Sequence, residues 1–322
     1  MLQRADGKRL FIHDVAPRDG LQIETVFVPT ADKIALVDAL SRSGVAKIEV
    51  TSFTSPKAIP ALADAQDVMA GIQRLPGVEY AALVPNLKGA ERALGCRVDE
   101  LNVVMSASES HNRANLRMGR EQSLAQFADI VALARGAAAV NASLSTAFGC
   151  PFEGRFEAAQ VLPWVDRIAE LGFERLTLCD TTGMADPAQV QELCAAVRER
   201  YPRLQLTAHF HDTRGMALAN VLAALEAGIV RFDASLGGLG GCPFAPGASG
   251  NACTEDMVHM LGQMGYDTGV DLQALLDCVR LLQPMVGHEL PGQLVKAGPS
   301  SRRYPLPQQP GTAEVLRTGA CS

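Results

Sequence analysis

The chain has 322 residues, 48% of them apolar, and a formal net charge of −6 with acidic and basic residues well mixed. That is enough apolar material for one large α/β domain or two small ones, and the charge pattern excludes a nucleic-acid surface or a basic membrane patch. The first residues lack the apolar stretch of a signal peptide, no run is long enough to cross a bilayer, and the eight cysteines form no Cys-x-x-Cys pair, so the sequence predicts a soluble, cytoplasmic protein with reduced thiols.

In chain order, β-like runs recur at roughly thirty-residue intervals, the spacing of βα units. Strands are predicted over 10–14, 47–51, 80–84, 100–105, 140–145, 175–179, 205–209 and 231–235. Helix-period segments lie between them. Asn86 can cap a helix through Leu94, and Asp186 followed by Pro187 opens one towards Arg200. Asp212 or Thr213 can cap the stretch 215–227, and Gly172 and Gly228 stand where helices stop. Pro163 predicts a late start or a kink in the helix over 157–171. Helices over 255–263 and 271–286 follow the eighth strand. The sum is an α/β (β/α)8 TIM barrel with additional C-terminal helices, one domain over 8–290, and a loosely ordered Pro/Gly/Ser/Gln-rich tail over 291–322.

A TIM barrel collects its chemistry at the C-terminal strand ends. Those ends carry Arg18-Asp19-Gly20-Leu21-Gln22, Glu49 with Thr51-Ser52, Asp180-Thr181, His209-Phe210-His211, and a glycine-rich run ending in Gly250-Asn251. His209 and His211 are two apart in a strand, so they share a face and can bind one ion; the bland alternative is one core and one exposed histidine. Arg18 and Asp19 could be a surface turn, Asp180 could open one, and Glu49 could sit half-exposed, but a closed barrel has no edge and a buried carboxylate needs partners. His13, His111, His259 and His288 have no motif support, and Asp186 is read as a cap only. The glycine-rich run lacks a P-loop lysine and the G-x-G-x-x-G pattern, which disfavours nucleotide binding. Asp19, His209, His211 and the Asn251 amide oxygen form the predicted metal set. Imidazoles alone suit zinc; added carboxylate and amide oxygens favour magnesium or manganese.

With those segments in place, the chain resembles hydroxymethylglutaryl-CoA lyases from about Ile12 to Val286. The resemblance rests on Pro17-Arg18-Asp19-Gly20-Leu21-Gln22, Ile48-Glu49, Thr51-Ser52-Phe53, Pro85-Asn86-Leu87-Lys88-Gly89, Gly149-Cys150-Pro151-Phe152-Glu153-Gly154, Asp180-Thr181, His209-Phe210-His211-Asp212-Thr213 and the run from Gly237 to Asp256 with its G-G-C-P and G-A-S-G-N motifs. It implies metal positions at Asp19, His209, His211 and Asn251, and catalytic ones at Arg18, Glu49, Asp180, His209 and Cys242. It implies cleavage of 3-hydroxy-3-methylglutaryl-CoA to acetyl-CoA and acetoacetate, with CoA as part of the substrate and a homodimer as the assembly. In that scheme Asp180, with His209, takes the hydroxyl proton, Arg18 meets the enolate oxygen and Glu49 holds Arg18. Cys242 protonates the enolate carbon, and Gln22 and Ser143 contact substrate.

The chain departs from the family at Ile23, Ser143, Cys179 and Phe210, where asparagine, tyrosine, glycine and cysteine are usual. Those changes bear on the acyl pocket more than on the reaction, so another branched 3-hydroxyacyl-CoA is an alternative substrate. A condensing synthase using a 2-oxo acid, a non-enzymatic metal- or CoA-binding barrel and an aldolase for a free 2-oxo acid are also compatible with parts of the pattern. Lys57 and Lys88 could meet CoA phosphates or simply be solvated.

Overall fold

The protein was analysed as a computed structural model that describes residues 5–241 and 250–305. Eight parallel strands close a barrel in chain order: β1 (Phe11–Asp14), β2 (Lys47–Ser52), β3 (Glu79–Leu83), β4 (Glu100–Ser106), β5 (Ala139–Ser145), β6 (Arg175–Asp180), β7 (Gln205–Phe210) and β8 (Arg231–Ala234), with β8 paired back onto β1. Each strand agrees with its predicted range to within one residue at either end. Ile48, Leu101, Val103, Leu144, Leu176, Leu178, Ala208 and Phe232 alternate outward and are buried against the surrounding helices.

The inward positions are unusually polar. Glu49 Oε1 accepts from the Asn102 amide at 2.8 Å. Asn102 Oδ1 accepts from Ser143 Oγ at 2.8 Å and from Asn141 Nδ2 at 3.0 Å, and Asn141 donates on to Thr177 Oγ1 at 3.0 Å. Leaving one such group unsatisfied costs about 1–3 kcal/mol, and this chain of bonds across four strands removes that cost. Lower in the barrel, Lys47 and Arg175 both grip Glu100, at 2.7 and 2.6 Å. A cavity of about 670 Å³ opens beside them, lined by Lys47, Glu79, Arg175 and Arg231. It lies at the N-terminal mouth, where barrel residues serve stability.

The helices follow their local signals. Asn86 Oδ1 accepts from Gly89 N at 2.9 Å to start the helix Leu87–Gly95. Asp186 accepts from Ala188 N and Gln189 N to start the helix Pro187–Arg200, so it is the cap expected of it. The helix holding Pro163 runs Ala158–Glu170 and begins without delay, so the late start is corrected. The helix Ala217–Glu226 has Met216 at its N-cap, correcting the predicted cap at Asp212 or Thr213. Gly215 turns the chain at φ 69° first, and Asp212 Oδ1 still reaches Ala217 N at 2.9 Å.

Two helices, Thr254–Gln263 and Leu272–Val286, follow β8, and the second packs against the helix Thr30–Arg42. Part of the expected tail is docked: Gln293 N and Leu294 N donate to Asp256, and Leu294 is buried. Residues 306–322 lie outside the described residues. Among the described residues no helix is long and apolar enough to cross a membrane.

Candidate active site

After β1 the chain winds into a single π-turn, Ala16–Gly20, with Asp19 N and Gly20 N both bonded to Val15 O. Such turns are rare and cluster at functional sites. This one presents Arg18 and Asp19 side by side at the C-terminal mouth of the barrel. Arg18 Nε donates to Glu49 Oε2 at 2.7 Å, Nη2 reaches the same carboxylate, and Nη1 donates to Asp19 Oδ1. Glu49 is therefore neither exposed nor alone. Burial opposes charge on both groups, but Glu49 and Asp19 keep the guanidinium firmly protonated.

Asp19, His209 and His211 bring one ligand atom each to within 4.8 Å of one another, and all three residues are buried. The two imidazole centroids lie 5.2 Å apart. His209 is inside β7, whereas His211 is just past it, in an isolated bridge with Asn251. That bridge, with Asp212 N bonded to Gly250 O and Ala252 N to Phe210 O, carries Asn251 from a distant part of the chain to the same spot. Asn251 Nδ2 donates to Asp19 Oδ2 at 2.8 Å and to Leu239 O at 3.0 Å. Its Oδ1 is buried and finds no hydrogen-bond partner among the described residues.

A buried carbonyl oxygen without a donor is costly, and a cation beside it removes the cost. The donor set of carboxylate, two imidazoles and an amide oxygen therefore fits a divalent ion. Burial alone would raise the Asp19 carboxyl, but Arg18, His211 and His209 hold it below its usual value, ready as an anionic ligand.

The glycines are there for close approach. Gly240 has φ 119°, and a Cβ on it would lie 2.5 Å from Asn251 Nδ2. A Cβ on Gly250 would lie 1.6 Å from Gly238 O. Side chains at either place would push Asn251 out of position.

Other predicted residues sit differently. Asp180 ends β6 on the face opposite Cys179, and Cys179 is the register partner of His209. The two Asp180 oxygens accept from Met184 N at 2.8 Å and Ala185 N at 3.1 Å, and His209 is near enough to act on its charge. Burial pushes its carboxyl up to about 6. Gln22 donates to Asp19 Oδ1 at 2.9 Å, so its amide steadies a metal-set residue. Ser143 is buried and bonded to Asn102 beneath the mouth. Phe210 faces outward against Phe148, and Ile23 is exposed, so neither departure lines the metal set. Cys242 lies outside the described residues.

Two residues escape the sequence reading. Asp233 in β8 places one oxygen 2.9 Å from His13 Nδ1 and the other 3.5 Å from His209 Nδ1. A carboxylate in the apolar run Phe232-Asp233-Ala234 carries the same signal that singles out Glu49, and it could have been found that way.

A family model described as HMGL-like matches residues 9–282. The chain is 48% identical over 295 residues to a hydroxymethylglutaryl-CoA lyase of Bacillus subtilis, covering 91% of this chain and 99% of the relative. It is 43% identical to the human mitochondrial hydroxymethylglutaryl-CoA lyase over 271 residues, 84% of this chain and 83% of that one. Among solved structures, an HMG-CoA lyase from Acinetobacter baumannii in complex with coenzyme A and 3-methylmalate superposes with a TM-score of 0.89 at 50% identity, covering 92% of this chain and 98% of the other. With a shared barrel, a shared length and a metal-capable mouth, the chain belongs to the HMGL-like family.

Proposed function

We propose that this carbon–carbon lyase cleaves 3-hydroxy-3-methylglutaryl-CoA to acetyl-CoA and acetoacetate. The observation that carries the reading is the convergence of Asp19, His209 and His211 beside the clamped Arg18, with the Asn251 amide bonded to Asp19. The relatives' names support the substrate, as does coenzyme A in the solved relative.

Asp19, His209, His211 and Asn251 would hold magnesium or manganese. Such an ion, when bound, acidifies a substrate hydroxyl and fixes its orientation. The other contributions come from the chain. Arg18 is the fixed donor for the thioester oxygen as it gains enolate charge; preorganised donors of this kind are worth about 3–4 kcal/mol. Glu49, itself held by Asn102, keeps the guanidinium from turning away. Asp180 is the group proposed to take the hydroxyl proton, with His209 beside it. Its carboxylate is held in place by Met184 N and Ala185 N. Cys242 is the proposed proton donor to the enolate carbon.

Chelator-treated protein assayed with a panel of 3-hydroxy-3-methylacyl-CoAs, with and without added magnesium, tests this. Metal-dependent acetyl-CoA release, fastest from the glutaryl compound, is expected. Free-thiol release that depends on a 2-oxo acid would identify a condensing synthase in its place.

A further inference from the structure

His13, Asp233 and His209 lie side by side in the barrel wall. The register pairs His13 of β1 with Asp233 of β8, and Asp233 with His209 of β7. All three therefore occupy one level of three adjacent strands, on the inner face. The Asp233 carboxylate spans the two rings with separate oxygens, 2.9 Å to His13 Nδ1 and 3.5 Å to His209 Nδ1. His13 is 5% exposed and its motif-free position leaves it no other assignment.

We propose that His13 is a positioning residue for the metal centre: by donating to one oxygen of Asp233 it fixes that carboxylate, which in turn fixes the rotation of His209. The inference rests on the metal reading above. A ring nitrogen committed to a carboxylate sets which nitrogen is left for the ion and where it points. His13 makes the hydrogen bond to Asp233 while His209 stands at ion-pair distance, so His13 sets the carboxylate plane that His209 faces. Burial, with Lys47 nearby, disfavours the charged form of His13. A neutral His13 with its proton on Nδ1 is the donor that this arrangement requires.

The test is Mn²⁺ affinity without substrate, read from the EPR signal of free Mn²⁺, alongside thermal unfolding. His13→Val should weaken Mn²⁺ binding about tenfold, the lower end for outer partners of a ligating histidine. His13→Asn places an amide donor near the Nδ1 position and should recover most of the affinity. His13→Gln fills the space but carries its donor too far out, so it should bind as weakly as His13→Val; it also serves if the valine variant does not fold. A purely structural role would lower the unfolding temperature and leave the Mn²⁺ affinity alone, and that outcome overturns the proposal. So does an asparagine variant as weak as the valine one. A wild-type chain that binds no Mn²⁺ removes the metal reading and this inference together, whereas Mn²⁺ binding without lyase activity leaves the positioning claim testable on its own.

Discussion

Arg18 and Glu49 form a buried pair in which the guanidinium uses both Nε and Nη2 on a single carboxylate oxygen, while the other oxygen is taken by Asn102. The carboxylate is thereby fixed from both sides, and it aims a cation at the barrel mouth without being able to follow it outward. The arrangement makes Glu49 a holder and Arg18 the group that meets charge.

Replacing Arg18 by Gln should therefore lower kcat by about 10²–10³ with a smaller change in KM, as expected for a donor used mainly in the transition state. Glu49→Gln keeps the Asn102 contact and weakens the grip on Arg18. It should lower kcat less than Arg18→Gln, and the double variant should be no worse than Arg18→Gln alone. Steady-state kinetics of the three variants check this, and fully additive losses would separate the two roles.

The metal set has a prediction that needs no turnover. Asp19→Asn keeps the bulk and an acceptor but removes the anion, while Asn251→Ala removes the buried amide oxygen. Titration calorimetry with Mn²⁺ should show at least about a tenfold loss for each. Far-ultraviolet circular dichroism should stay unchanged. Unaltered affinity in both variants would place the ion elsewhere.

Gly240→Ala tests the close approach. The added Cβ meets Asn251 Nδ2 at 2.5 Å from a backbone at φ 119°. We expect weakened Mn²⁺ binding comparable to Asn251→Ala, with unfolding destabilised by about 1–3 kcal/mol from the strained backbone. Alanine at Gly136, where a Cβ would meet nothing within 4 Å, shares the left-handed backbone. It should show the loss of stability without the loss of metal.

Stability should fall as pH rises through a window set by Asp14. Its oxygens accept from Ala16 N at 2.9 Å and Thr254 Oγ1 at 2.7 Å, and burial raises its carboxyl from 3.8 to about 7. Between those values the folded chain keeps a proton that the unfolded chain has lost. The contribution is complete below about pH 4 and gone above about pH 7, falling by roughly 1.4 kcal/mol for each pH unit between them. Asp14→Asn should flatten the urea midpoint between about pH 4 and 7. Asp180, raised to about 6, will leave part of the slope in place. An unchanged slope in Asp14→Asn would assign the whole effect elsewhere.

The convergence of Asp19, His209, His211 and Asn251 was legible because they come from motifs with a local logic: a strand-spaced histidine pair, an Arg-Asp turn and a Gly-Asn step. His13 and Asp233 were not, since neither has a neighbour in sequence that hints at the other; only the β1–β8 closure makes them adjacent. The hold on Asp180 was not legible either: the backbone N–H groups of Met184 and Ala185 that bind its carboxylate carry no side-chain signal.

Eight βα units, their strand limits and the caps at Asn86 and Asp186 were determined by the sequence alone, because hydrophobic period, capping side chains and helix-ending glycines act over a few residues. Tertiary structure decided which strand-end side chains share a pocket. Barrel closure brings β8 against β1, and the 250–252 segment pairs with the end of β7, so residues more than two hundred positions apart, such as Asp19 and Asn251, meet at 2.8 Å. No local signal encodes such a contact. It exists because burying the outward apolar face of the strands closes the barrel and brings the inner polar residues of distant segments together.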